Sequence, residues 1–348
     1  MTSEIWTEQK LSTLLTTPSP ALINDIKRLD GDLMIIGAGG KMGPTLSILA
    51  ANAVKAAGIK KRIIAVSRFS NPQAKKVLND AGIETISADM LEAHAADSLP
   101  DCENIIYMIG RKFGTAGQEA LTWASNAWLP SRIAERFRNS RITVFSTGNV
   151  YPQTPVWFGG ATEGTAPAPI GEYAMSSLAR ERMFEYAAQK YGTRVSIFRL
   201  NYAVDLRYGV LSDIARRVYK GKALSVAMPC FNCIWQGDAV EIAIRCLLYA
   251  DKKVFRLNVT GPETVSVRET AKKFGKIFGR EPVLTDEEGT VALLNNAGKM
   301  FRIFGYPRVS LETMIDWQAQ WILNGGRELG KPTHFEERKG IAGITVPA

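Results

Sequence analysis

The chain has 348 residues, 46% of them hydrophobic, and 43 Lys+Arg against 34 Asp+Glu give a formal net charge of +9. That length and apolar content can bury a large core, as one big domain or two smaller ones, and exclude a disordered chain. The start MTSEIWTEQK has acidic residues and no apolar core, and no run approaches the roughly 18 apolar residues of a membrane helix, so a cytoplasmic protein without membrane contact is expected.

Residues 1–30 read as a helical N-terminal extension with a break at Thr17-Pro18-Ser19-Pro20. The first strong strand, LMIIG at 33–37, runs into Gly37-Ala38-Gly39-Gly40-Lys41-Met42-Gly43, and a helix is predicted from Thr45 to Ala57. Glycines between a strand and a helix let the backbone turn tightly and approach a pyrophosphate at the positive helix end, and the last one allows helix and strand to pack closely. Gly37, Gly39, Gly40, Lys41, Met42 and Gly43 are therefore candidate cofactor contacts.

The second strand, RIIAVS at 62–67, ends at Ser67-Arg68. Its end is where a dinucleotide site places an acid for the ribose of NAD or a base for the 2′-phosphate of NADP. An arginine pairs with a phosphate, the serine adds a hydrogen bond, and no acid stands at that position, so NADP is preferred and NAD remains possible. Further strands follow at 83–88, 104–110, 142–147 and 194–200, alternating with helical segments. This rhythm predicts a parallel sheet covered on both faces, an α/β doubly wound fold of Rossmann type. Ile109 and Gly110, at the end of the fourth strand, are expected to border the nicotinamide.

Beyond Asn201 the rhythm loosens. A helix-like stretch LSDIARRVYKGK, a loop AMPCFNCIWQ and a helix DAVEIAIRCLLYA precede a strand VFRLNV at 254–259. The expected organisation is a dinucleotide-binding domain from 31–200 and 237–260, a substrate cap from 201–236 and 261–330, and a tail over 331–348. Within the loop, Cys230-Phe-Asn-Cys233 has the spacing of half a zinc site or a redox pair, but the other half is missing and the chain has only His94 and His334. No metal is expected, and histidine-based triads lack a nucleophile elbow. The basic residues come in twos and threes with acids between them, which cofactor phosphates account for as well as nucleic acid does, so no nucleic-acid partner is assigned.

Several motifs in order resemble the extended short-chain dehydrogenase/reductase superfamily, in its NAD-dependent epimerase/dehydratase branch, over residues 31–270. Gly37, Gly40 and Gly43 match the GxxGxxG loop; Ala88-Asp89-Met90 resembles the acidic position that contacts adenine; Ser146-Thr147-Gly148-Asn149-Val150-Tyr151 resembles the SSxxVYG strand end; and Arg199-Leu200-Asn201-Tyr202 resembles the segment after the sixth strand. The resemblance implies that Thr147 binds the substrate oxygen, that Tyr173, 26 residues later, exchanges its proton, and that Asn126 supports the relay. It also implies a lysine one turn after the tyrosine, where this chain has Ser177. A second YxxxK, Tyr186 to Lys190, lies at the end of the helix and is set aside, because a lysine there is explained by the helix dipole.

An ordinary tyrosine, with a pKa of about 10, is ionised to about one part in a thousand at pH 7, so without a neighbouring cation it serves as an acid and is poorly poised as a base. Arg180, at i+7, and Arg111-Lys112 are the other cations within reach. Arg180 is expected to face solvent, and Arg111-Lys112 to meet phosphate or water. Asn149, Asn201, Arg207, Trp235 and Gln236 are candidate walls of a site for a polyol or sugar acid, because carbohydrate sites combine hydrogen-bonding groups with an aromatic face. Where nucleotide-sugar enzymes of the branch carry Gly-Pro, this chain has Tyr202-Ala203-Val204-Asp205. Two functions are expected to compete: hydride transfer on a small sugar-like substrate, and a dinucleotide sensor or scaffold that has lost catalysis with the lysine. A homodimer is implied only by the resemblance.

Overall fold

The computed structural model describes residues 6–112, 117–331 and 333–336. Seven strands form one parallel sheet: β1 (Leu33–Ile36), β2 (Ile63–Ser67), β3 (Glu84–Ser87), β4 (Asn104–Tyr107), β5 (Arg141–Thr147), β6 (Arg194–Leu200) and β7 (Phe255–Val259), in the spatial order β7-β6-β5-β4-β1-β2-β3. All four residues of both β1 and β4 are buried, as a sheet covered on both faces requires. The order reverses at β1, which lies between β4 and β2, and the crevice outside the strand ends there is where an open α/β sheet takes its ligand.

One face of the sheet packs against α2 (Pro20–Lys27), α3 (Gly43–Ala57) and α9 (Gln236–Arg245), through Ile26, Leu46, Leu49 and Val240. The other packs against α6 (Leu129–Arg136) and α7 (Glu172–Tyr191), through Ile133, Phe184 and Ala187. A second core joins α1 (Glu8–Thr16), α8 (Val210–Tyr219), α10 (Val267–Phe278) and α12 (Leu311–Leu323) around Leu11, Ile214, Phe274 and Trp321. The N-terminal helices are thus built into both cores: Leu11 and Leu22 are fully buried.

Between the cores, AMPCFNCIWQ is not a plain loop. Cys230–Phe231 pairs antiparallel with Val265–Ser266, and Ile234–Trp235 pairs parallel with Ala203–Val204. After α12 the chain returns across the second core. Leu329 N donates to Arg207 O at 3.0 Å, Thr333 N and Oγ1 both donate to Asp213 Oδ2 (2.8 and 2.5 Å), and Arg217 pairs with Glu336 at 2.7 Å. No helix among the described residues is long and apolar enough to cross a membrane.

Candidate active site

The glycine loop is shaped by contacts that side chains would break. Gly37 has φ +100°, and a Cβ there would lie 2.8 Å from Ile109 N. Its own N–H and that of Ala38 both donate to Val66 O, at 2.9 and 3.1 Å, which ties the loop to β2. At Gly43 a Cβ would fall 2.6 Å from Ala38 Cα, so α3 packs directly on the strand end. No side chain caps α3 at Met42. Its amides and the dipole are left for an anion, and the tight glycine cradle fits a dinucleotide diphosphate.

Two cavities flank this loop and share Gly37, Gly40, Met108 and Gly110. The first, about 330 Å³, is lined by Gly39, Ser67, Arg68, Asp89 and Ile109 among others, which fits the adenosine end of such a cofactor. Arg68 is 71% exposed and its guanidinium lies 3.8 Å from Asp89. Ser70 and Asn71, which sequence reasoning missed, border the same space, just after Phe69 in a left-handed conformation of φ +46°.

The second cavity, about 380 Å³, brings together Lys41, Met42, Gly43, Thr147, Asn149, Tyr173 and Asn201. Thr147 ends β5, and its Oγ1 accepts from Asn149 N at 3.2 Å as the chain turns into the 3₁₀ segment Gly148–Val150. Tyr173 lies in the first turn of α7, directly after Gly171 at φ +83°. Tyr186, in contrast, is 56% exposed and does not line the cavity.

Asn126 is carried by a π-helical turn, Ala124–Trp128, of the kind that re-aims side chains at functional sites. Its Oδ1 accepts from Arg111 N (2.7 Å) and Arg180 Nη2 (2.9 Å), and its Nδ2 donates to Arg111 O (3.1 Å) and Ser176 Oγ (2.9 Å). Ser177 is fully buried, does not line the cavity, and donates to Tyr173 O at 2.6 Å. Its hydroxyl serves the helix backbone.

The expectation that Arg180 faces solvent is overturned. The residue is 4% exposed and lines the second cavity, its Nη1 donating to Phe145 O at 2.8 Å while its Nε is buried without a partner. Helical side chains lean toward the N-terminus, so a long arginine at i+7 reaches back under the small Ser176 and Ser177 toward Gly110. A Cβ at Gly110 would lie 2.5 Å from Arg180 Nη2.

Three expected wall residues lie elsewhere. Arg207 is held by Asp205 (2.8 Å) and Glu8 (3.2 Å), outside the cavity. Trp235 is 1% exposed and packs edge-on against Trp317 at 5.4 Å. Gln236 is fully buried and donates to Thr45 Oγ1 at 3.2 Å. The last two follow from the entry of α9 into the interior, where an aromatic ring is core rather than sugar platform, whereas Arg207 is turned away by its pairing with Asp205 two residues before it. Tyr202, Tyr208, Lys331 and Thr333 line the cavity instead. The unusual φ of +44° at Tyr202 is not visible in sequence.

Charge sets the character of this cavity. Lys41 Nζ lies 3.2 Å from the centroid of the Tyr208 ring, and desolvation lowers its pKa to about 7 against the pull of Asp205 and Asp213. Desolvation likewise lowers Lys112 to about 8. Its Nζ reaches Thr333 O at 3.5 Å. Burial pushes the phenols of Tyr202 and Tyr208 up. Behind the wall, a buried ion pair, Arg199 with Glu181 at 2.6 Å, is completed by Ser146 and Tyr151 and fixes α7 against β5 and β6. Cys230 and Cys233 are free thiols, and no group of three or more metal-ligating side chains occurs among the described residues.

No curated protein matches the sequence. Among solved structures, MoeE5 in complex with UDP-glucose and NAD superposes with a TM-score of 0.67 at 18% identity, covering 85% of this chain and 99% of its own. The UDP-glucose 4-epimerase of Thermotoga maritima with UDP-glucose gives 0.68 at 18%, covering 84% and 99%, and the UDP-glucuronic acid 4-epimerase of Bacillus cereus with NAD gives 0.68 at 16%, covering 84% and 96%. These likenesses establish the fold. The family model described as "NAD dependent epimerase/dehydratase family" matches residues 33–239, the stretch that carries the glycine loop, Thr147 and Tyr173. The chain thus belongs to the NAD dependent epimerase/dehydratase family.

Proposed function

We propose that the protein is a nicotinamide-dependent oxidoreductase or epimerase acting on a sugar-like substrate, with Tyr173 as acid/base and Thr147 orienting the substrate oxygen. The observation that carries this reading is that Thr147, Asn149 and Tyr173 line one cavity, open to the glycine loop. The bound nicotinamide would supply or accept a hydride. The Thr147 hydroxyl donates to the reacting oxygen, and the Tyr173 phenol gives that oxygen a proton or takes one from it. Asn126 supports the site by fixing Arg111 and Ser176 around the base of α7. Reduction, oxidation and epimerisation through a transient ketone all need this same proton exchange.

For the cofactor, Arg68 and Ser67 support NADP through a charged hydrogen bond to the 2′-phosphate. Asp89 stands across the same cavity and offsets part of that charge, and two of the related structures named above, MoeE5 and the Bacillus cereus enzyme, hold NAD. NADP is the proposed preference and NAD the alternative. One observation favours a second reading, a dinucleotide sensor without catalysis: Ser177 is tied to the backbone and brings no charge to Tyr173.

Binding of NADPH and NADH, followed by nicotinamide fluorescence, tests the cofactor site. A nicotinamide-absorbance screen with UDP-glucose, UDP-glucuronic acid and free sugars and sugar acids tests turnover. Tyr173→Phe is expected to abolish turnover with cofactor affinity intact. Tight cofactor binding with no turnover on any of these compounds would establish the sensor instead.

A further inference from the structure

Arg180 is a buried cation whose hydrogen-bonding capacity the fold does not use up. Two of its five N–H groups meet neutral acceptors, Nη1 on Phe145 O at 2.8 Å and Nη2 on Asn126 Oδ1 at 2.9 Å. No ion pair reaches it among the described residues, and the adjacent Glu181 is committed to Arg199 at 2.6 Å. A guanidinium taken out of water with neutral partners alone is costly, and an apolar side chain of similar size would fill the same space without that cost.

The surroundings admit this side chain and aim it. Gly110 has no left-handed φ, so its bare Cα serves no turn; a Cβ there would collide with Arg180 Nη2. Ser176 and Ser177 are small, and both bond Tyr173 O, which leaves the arginine room to pass beneath them. Asn126 lines neither cavity, and its Oδ1 fixes Nη2 from behind. The glycine loop joins the two cavities, and the uncapped start of α3 suits the diphosphate. With adenosine beside Ser67 and Arg68 in the first cavity, the other half of a dinucleotide falls to the second, and Arg180 lines only the second. The chemistry of that half is selective. An oxidised nicotinamide ring is itself cationic and is repelled by a guanidinium, whereas the vicinal diol of a ribose offers oxygen lone pairs to a planar fork of N–H groups.

We infer that Arg180 holds the nicotinamide ribose, with the N–H groups left on Nη1 and Nη2 donating to the ribose hydroxyls. This rests on the nicotinamide-dependent reading above and adds a cofactor contact to it. The contact comes from i+7, two turns beyond Tyr173, because the hydroxyl at i+4, Ser177, is spent on the helix backbone. Sequence alone gave Arg180 no such role, since the arginine belongs to no motif.

The test is calorimetric titration of the wild type and Arg180→Met with NADH, ADP-ribose and ADP, and with the 2′-phosphorylated form of each, which covers either choice of cofactor. ADP-ribose carries the second ribose and ADP lacks it. Arg180→Met is expected to bind the dinucleotide and ADP-ribose about tenfold or more weakly, with ADP changed less than about twofold. Equal losses for ADP-ribose and ADP, no loss for either, or a loss confined to the dinucleotide would each overturn the inference. A crystal structure of the wild type with ADP-ribose decides the matter even if the variant does not fold: an Arg180 Nη within about 3.5 Å of a hydroxyl oxygen of the second ribose is expected, and a longer separation would overturn the inference. If the wild type binds none of these ligands, the nicotinamide-dependent reading falls first. If it binds them and Arg180→Met does not tell ADP-ribose from ADP, only the inference falls.

Discussion

Replacing Lys41 by methionine isolates what the charge in the glycine loop does. Desolvation lowers its pKa from 10.5 to about 7, a difference that at about 1.4 kcal/mol per tenfold change amounts to roughly 5 kcal/mol against the charged form. The cation over the Tyr208 ring returns about 1–2 kcal/mol of this, and partial solvent access reduces it further. Lys41→Met should therefore be more stable than the wild type by about 2 kcal/mol at pH 6. The sign follows from the lowered folded pKa. Below pH 7 the folded protein carries the whole penalty, between pH 7 and 10.5 the unfolded chain binds more protons, and the wild type gains on the variant as pH rises. Urea midpoints of both proteins at pH 6 and pH 9 measure the difference. A variant less stable at pH 6, or a stability difference equal at both values, would refute the account. The same variant should bind the dinucleotide more weakly, because a charge near the diphosphate is gone.

Other expectations test separate parts of the site. Arg68→Ala should weaken NADPH binding about tenfold with little effect on NADH, and an unchanged NADPH affinity in a fluorescence titration would remove Arg68 from the cofactor site. Gly43→Ala forces a Cβ against the Ala38 backbone, and should lower stability by roughly 2 kcal/mol and weaken both cofactors together in the same titrations. Glu181→Gln leaves Arg199 charged and buried without its partner; a loss of about 3 kcal/mol or more is expected in chemical unfolding, and a loss under 1 kcal/mol would show that the pair is dispensable.

The sheet was legible because its strands are short apolar runs set between glycine turns, and parallel strands covered on both faces need little else. The same holds for the glycine loop, where backbone conformation is written directly in residue type: only glycine tolerates the approach at Gly37 and Gly43. Thr147 and Tyr173 could be placed by spacing, since each lies at an element boundary next to the sheet end. Arg180 could not. Whether an arginine turns in or out depends on the room left by Ser176, Ser177 and Gly110, and the last of these comes from the segment after β4, far away in sequence. Trp235 and Gln236 misled for a related reason: aromatic and amide groups suit sugar sites and tight cores alike, and long-range packing of α9 decides between them. Lys331 and Thr333 carry no motif at all, and reach the cavity because Arg207, Asp213 and Arg217 hold the returning chain.

That anchoring divides the protein's site between two independently variable stretches. Tyr173 and Thr147 sit inside the segment shared with the family, whereas the rim facing them is supplied about 160 positions after the tyrosine by a few residues pinned to Arg207, Asp213 and Arg217. Changes at Lys331 and Thr333 can therefore alter the rim without touching Thr147 and Tyr173. A truncation before Thr333 acts on the mouth of the cavity, because it removes a residue that lines it.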